Sequence, residues 1–113
     1  MARITHYSFG RIVVDDAEHD HDVIILPNRI VGNWWREDGH SLVVADLEEV
    51  LEELPERLIV GCGAYGRLQP DPATVDSLRA RGIDVVVVRT GEAVERFNAS
   101  DAAHTAAALH LTC

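Results

Sequence analysis

The stretch Leu58 to Arg67, read LIVGCGAYGR, limits the fold of this chain more than any other. A short apolar run with β-branched residues breaks into a loop carrying Gly61, Gly63 and Gly66. A run of that length and composition reads as a buried strand. The glycines free the backbone to turn sharply or to approach another group closely. Asp71-Pro72 follows as an N-cap with proline at the first helical position. Val75 and Leu78 give that helix its buried stripe, and Gly82 its C-terminal stop. Ile83 to Val88 is then a nearly continuous apolar run, the pattern of a strand covered on both faces. Strand, helix and strand make a βαβ unit, so the two strands are expected to be parallel and joined by a right-handed crossover.

Parallel strands end on the same sheet edge, the usual place for a binding crevice. That brings residues 61–67 near residues 89–92. Gly61, Gly63, Tyr65, Arg67, Thr90 and Glu92 are the residues expected to line it. One aromatic, one or two arginines and a helix N-terminus suit an anionic or carboxylate-bearing ligand, although Glu92 partly cancels that field. The alternative is a set of glycines that serves only tight turns. Residues 61–66 match G-x-G-x-x-G, but two features speak against a dinucleotide site. Pro70 and Pro72 separate the last glycine from the helix, and the next strand ends in Arg89-Thr90 rather than an acidic residue. The Gly-Lys-Ser/Thr of a P-loop is also missing.

Upstream, residues 8–14, 21–26 and 29–35 read as three extended segments on short turns, an antiparallel meander. Val44 to Leu54 carries apolar residues at 44, 47, 50, 51 and 54, the spacing of a helix with an acidic outer face that ends before Pro55. Downstream, Thr90 is placed to cap a helix running to about Asn98. Ser100 is placed to start another helical turn, and Ala107 to Leu111 forms a last strand.

Composition narrows the function. The chain has 113 residues, enough for one domain with a core that needs neither disulfide nor metal. Its net charge is −9, and no basic stripe offsets it, so nucleic acid is not an expected partner. No run approaches the length of a membrane helix, and MARITHYSFG has no apolar leader, which makes the cytoplasm the expected location. All ten basic residues are arginine, so no lysine is available as a Schiff-base nucleophile.

Trp34-Trp35-Arg36 has the composition of an interface anchor. On an extended segment one indole faces the core and the other is partly exposed, and plain core and edge packing is the alternative reading. In EHDHD, His19 and His21 would share a strand face and could hold a metal, but no second ligand pair recurs. No metal or cofactor is expected. Cys62 could act as a nucleophile with His40 or His110 as a distant base, but no spacing supports the pairing. A small buried cysteine at a strand end is the commoner case, and Cys62 and Cys113 are expected as free thiols.

SFGRIVVD at 8–15, HDVIILP at 21–27, WWR and GH between 34 and 40, and DLEEVL at 46–51 form one series with LIVGCGAYGR at 58–67, TGEAVERFN at 90–98 and LHLTC at 109–113. Together they resemble the adipogenesis-associated Mth-domain family. That domain of unknown function also includes a mitochondrial complex I assembly factor. The resemblance implies a single Mth-type domain over residues 1–113. It implies a three-layer α/β fold with a central mixed sheet and an extra N-terminal antiparallel β-layer. It implies no reaction and no catalytic residue, and points instead to assembly and protein interaction. Cys62 stands where the pattern usually has threonine, and His19 where it tends to have an aromatic, which weakens both as functional groups. Two functional expectations result. One is a non-catalytic interaction or assembly module whose partner is another protein, through Trp34, Trp35 and Arg36 or the edge at Tyr65 and Arg67. The other is a small-molecule-binding protein or enzyme acting at the glycine-loop crevice. A third reading is a scaffold that only homodimerises.

Overall fold

The computed structural model describes residues 2–113. β1 (Ile4–Ser8), β2 (Arg11–Val14) and β3 (Ala17–His19) form an antiparallel three-stranded sheet. β4 (Val23–Ile25) and β5 (Ile30–Val31) make a hairpin, and β6 (Ser41–Leu42) is followed by a 3₁₀ helix over Val44–Glu53. β7 (Arg57–Cys62), β8 (Gln69–Pro70), α1 (Pro72–Ala80), β9 (Asp84–Val88), α2 (Thr90–Ala99) and β10 (Thr105–His110) complete the chain. The central sheet has the order β5-β4-β10-β7-β9, and β6 pairs with β8 in a parallel two-stranded ribbon. β10 is antiparallel to β4 and parallel to β7, and β7 is parallel to β9, so the sheet is mixed.

The alternation of side chains along β7 and β10 divides the core into two. On one face Leu58, Val60, Cys62, Ala106 and Ala108 pack with Leu47, Val50 and Leu78 from the 3₁₀ helix and α1. On the other, Ile59, Ala107 and Leu109 pack with Phe97 of α2 and with Ile4, Ile12 and Val14 of the N-terminal sheet. This is the three-layer arrangement with an extra β-layer. Asn98 fastens that layer to α2: its Oδ1 accepts from the Ile4 amide at 3.0 Å, and its Nδ2 donates to the Ile4 carbonyl at 2.7 Å.

The βαβ unit forms as the sequence predicts, with Asp71 Oδ1 accepting from the Ala73 amide and Gly82 at φ 84° past the helix end. Other elements differ from expectation. The expected meander is divided between two sheets. Asp15 and Asp16 both take positive φ, which closes a tight β2–β3 hairpin inside the N-terminal sheet. The second and third expected segments instead become β4 and β5 of the central sheet. The helix expected over 44–54 is a 3₁₀ helix, consistent with apolar positions 44, 47 and 50 recurring every three residues. β9 is an edge strand with Val87 exposed, rather than a strand covered on both faces. Ser100 ends α2 instead of starting a turn, its hydroxyl donating to the Phe97 carbonyl at 2.6 Å. The last strand runs two residues earlier than expected at its start and one at its end.

Candidate functional site

Three ionisable side chains from distant parts of the sequence meet where β4 begins and β10 ends. Asp22 lies just before β4, Arg36 follows the paired tryptophans, and His110 is the last residue of β10. Their side chains are 14%, 5% and 9% exposed, respectively. Burial alone would raise the Asp22 carboxyl. Hydrogen bonds from His110, the Leu111 amide and Arg36 together hold it below its ordinary value. Asp22 Oδ2 accepts from Arg36 Nη1 at 2.6 Å and lies 2.8 Å from His110 Nδ1, while Oδ1 accepts from the Leu111 amide at 2.8 Å.

An ionised carboxylate has no proton to give, so we assign the imidazole proton to Nδ1 and the lone pair to Nε2. Arg36 Nη2, 3.1 Å from Nδ1, then lies at the edge of the ring and donates to the Gly39 carbonyl at 3.3 Å. The guanidinium carbon stands 5.0 Å from the Trp34 ring centroid, a cation–π contact that compensates part of its desolvation. Trp34 is itself fixed: its Nε1 donates to the Asp46 carbonyl and its amide to the Asp22 carbonyl, both at 2.9 Å. Trp35 points the other way and is 82% exposed.

Two cavities flank these tryptophans. One, of about 410 Å³, is lined by Asp22, Trp34, Trp35, His110, Leu111 and Thr112 among others. The other, of about 790 Å³, lies between the tryptophans and the acidic side of the 3₁₀ helix, with Val31, Glu37, Glu48 and Glu49 in its wall.

The glycine loop is occupied by the chain itself. The amides of Gly63, Ala64 and Arg67 donate to Thr90 Oγ1, the Thr112 carbonyl and the Cys113 carbonyl, at 2.8, 2.6 and 3.0 Å. A Cβ on Gly63 would lie 2.3 Å from the Cys113 carbonyl carbon, and one on Gly61 would lie 2.9 Å from Thr90 Oγ1. Thr90 does not cap α2, whose N-cap is Arg89. Its buried hydroxyl accepts from Gly63 and donates to the His110 carbonyl at 2.6 Å. Gly61, Gly63 and Thr90 are therefore brought together. Tyr65, Arg67 and Glu92 lie exposed around them, with Tyr65 tilted against Phe9 at a centroid distance of 6.2 Å and Glu92 accepting from Arg96 at 2.7 Å.

His19 lies on β3, while His21 stands beyond its end, 2.8 Å from Asp20. Among the described residues no group of three or more histidine, cysteine or acidic side chains is placed to hold a metal ion.

Cys62 is buried in the core and register partner of His110, and burial pushes its thiol up to about 11. At pH 8 its thiolate fraction is about one in a thousand, against about one in four for an ordinary thiol. Titration with a disulfide reagent at pH 8 is expected to modify Cys113 at least about a hundredfold faster than Cys62. Denaturant should remove the difference.

The sequence reading missed Asp22 and gave His110 only a distant role. The available signal was one histidine inside the otherwise apolar run TAAALHL, and an acid directly before VIIL.

The fold is that of a small three-layer α/β domain of the Mth938-like type. The chain belongs to the family described as protein of unknown function (DUF498/DUF598), which matches residues 4–110. A conserved hypothetical protein of Pyrococcus horikoshii is similar at 28% identity and TM-score 0.82, covering 98% of this chain and 99% of its own. A Bartonella henselae protein described as an outer membrane protein is 29% identical at TM-score 0.81, with 99% and 96% covered. A Mth938-like domain from Bordetella pertussis shares the fold at 21% identity and TM-score 0.77, with 97% and 85% covered. No helix among the described residues is long and apolar enough to cross a membrane.

Proposed function

We propose that this protein is an interaction module that docks a basic, partly apolar segment of another polypeptide beside Trp35. The observation that carries this reading is a large indole, 82% exposed, next to an acid-lined cavity of about 790 Å³. Tryptophan is among the residues enriched at the energetic centres of protein interfaces. The backbone here is fixed through Trp34, Arg36 and Asp22. Glu37, Glu48 and Glu49 in the cavity wall, on a chain of net charge −9, select a partner of opposite sign. The resemblance to a family that includes an assembly factor supports the same reading.

The test is photocrosslinking in cells from a reactive residue placed beside Trp35. One polypeptide should be captured through a segment of net positive charge. Trp35→Ala should lower capture about tenfold or more, and Glu48→Gln with Glu49→Gln should weaken it at low salt and make it less sensitive to added salt than the wild type. Capture that survives Trp35→Ala, or a contact segment that is acidic, would sink the proposal.

A further inference from the structure

The smaller cavity carries an arrangement that protein docking does not use. Thr112 Oγ1 stands 3.4 Å from His110 Nε2, the nitrogen that holds the ring's lone pair, while Nδ1–H is held by Asp22 at 2.8 Å. A hydroxyl, a base and a carboxylate that orients the base are the components of an activated nucleophile, and the hydroxyl–base contact is commonly long before substrate binds. Residues 110 and 112 flank the end of β10, and the two-residue offset along extended backbone turns both side chains to one side. His110 and Thr112 both line the cavity of about 410 Å³, within the range of small-molecule sites.

The walls indicate the substrate. Trp34, Trp35 and Leu111 supply apolar surface. The only arginine in the wall is already paired with Asp22, while Asp20 and Glu37 leave an excess of negative charge. An anion is disfavoured there, and an uncharged apolar molecule is not.

We infer that Asp22, His110 and Thr112 form an acyl-transfer site for small uncharged esters. Thr112 Oγ1 attacks the ester carbonyl carbon as its proton passes to His110 Nε2. Asp22 stabilises the imidazolium that results. The bond to the leaving oxygen breaks, and that oxygen takes the proton from Nε2, which releases the alcohol and leaves the acyl group on Thr112. Water then attacks the acyl carbon, giving a proton to His110. The carboxylic acid departs and Oγ1 recovers its proton. The oxyanion formed in each half needs a donor, and Asn33, whose side-chain amide can donate, lines the same cavity on backbone held at φ 50°.

The experiment uses p-nitrophenyl butyrate with the full chain, Thr112→Val, Thr112→Ser and His110→Gln. The wild type should release p-nitrophenolate above the buffer rate. Thr112→Val and His110→Gln should lower kcat about a hundredfold or more, and Thr112→Ser should retain turnover. Acid-quenched protein should carry one butyryl group, mapped to Thr112. Wild-type turnover no faster than Thr112→Val, or an adduct on another residue, overturns the inference. Thermal melting of each variant separates loss of chemistry from loss of fold. If Thr112→Val melts early, the site of the adduct and the Thr112→Ser rate still decide.

Discussion

Gly63→Ala is expected to destabilise the domain by about 3 kcal/mol or more, lowering the melting temperature by at least about 10 °C. Two independent effects add here. Gly63 sits at φ 96°, a conformation that a side chain rarely adopts, which alone costs about 1–2 kcal/mol. The new methyl would also lie 2.3 Å from the Cys113 carbonyl carbon and 2.8 Å from His110 Cδ2. The backbone carbon is the obstacle that matters, since it cannot rotate aside. Residues 112–113 must lift away, and the amides of Ala64 and Arg67 then lose the carbonyls they donate to. Gly82 is a control: it too has positive φ, at 84°, but a Cβ there meets nothing within 4 Å. Gly82→Ala should cost only the conformational part, about 1–2 kcal/mol. Equal losses in the two variants, measured by thermal or urea unfolding, would show that residues 112–113 do not press on the loop.

This pair also shows what the sequence revealed and what it concealed. The glycine loop and its βαβ unit were readable because strand, cap, stripe and stop are local signals, all within residues 58–88. What fills the loop was not readable. The groups that occupy it are carbonyls of Thr112 and Cys113, and any residue type supplies a carbonyl. Thr90 looked like a helix cap because threonine before a helix usually is one; a buried hydroxyl bridging Gly63 and His110 leaves no local trace. The Asp–Arg–His cluster was hidden for a different reason. Its members are separated by 14, 74 and 88 positions, and only the pairing of β10 with β4 brings Asp22 to His110. The central position of β10 was likewise not a local property. Its alanines, small enough to lie beneath helices on both faces, are the residues that fit there, and the run AAALHL read simply as a last strand.

Asp22→Ala is expected to cost about 3–5 kcal/mol, the range for removing one partner of a buried ion pair. The loss is large because Asp22 serves three donors. Without it the Arg36 guanidinium stays buried with no anion, the Leu111 amide has no acceptor, and His110 Nδ1–H loses its orienting carboxylate. Asp22→Asn, which keeps an acceptor oxygen for the Leu111 amide, should cost less; the difference between the two variants reports that acceptor, and the difference between wild type and Asp22→Asn reports the charge. The pH dependence gives a second, independent readout. The folded-state carboxyl lies below its ordinary value of 3.8, so between the two values the unfolded chain binds the proton and the folded chain does not. Stability from this group is therefore fully present above the ordinary aspartate range and is lost as pH falls through the folded value. Urea unfolding from pH 6 to pH 2 should show the wild type losing its advantage over Asp22→Asn across that acid window. An advantage that stayed constant down to pH 2 would mean that Asp22 is not held as a charged partner of Arg36 and His110. The acyl-transfer site would then lack the carboxylate that orients its base.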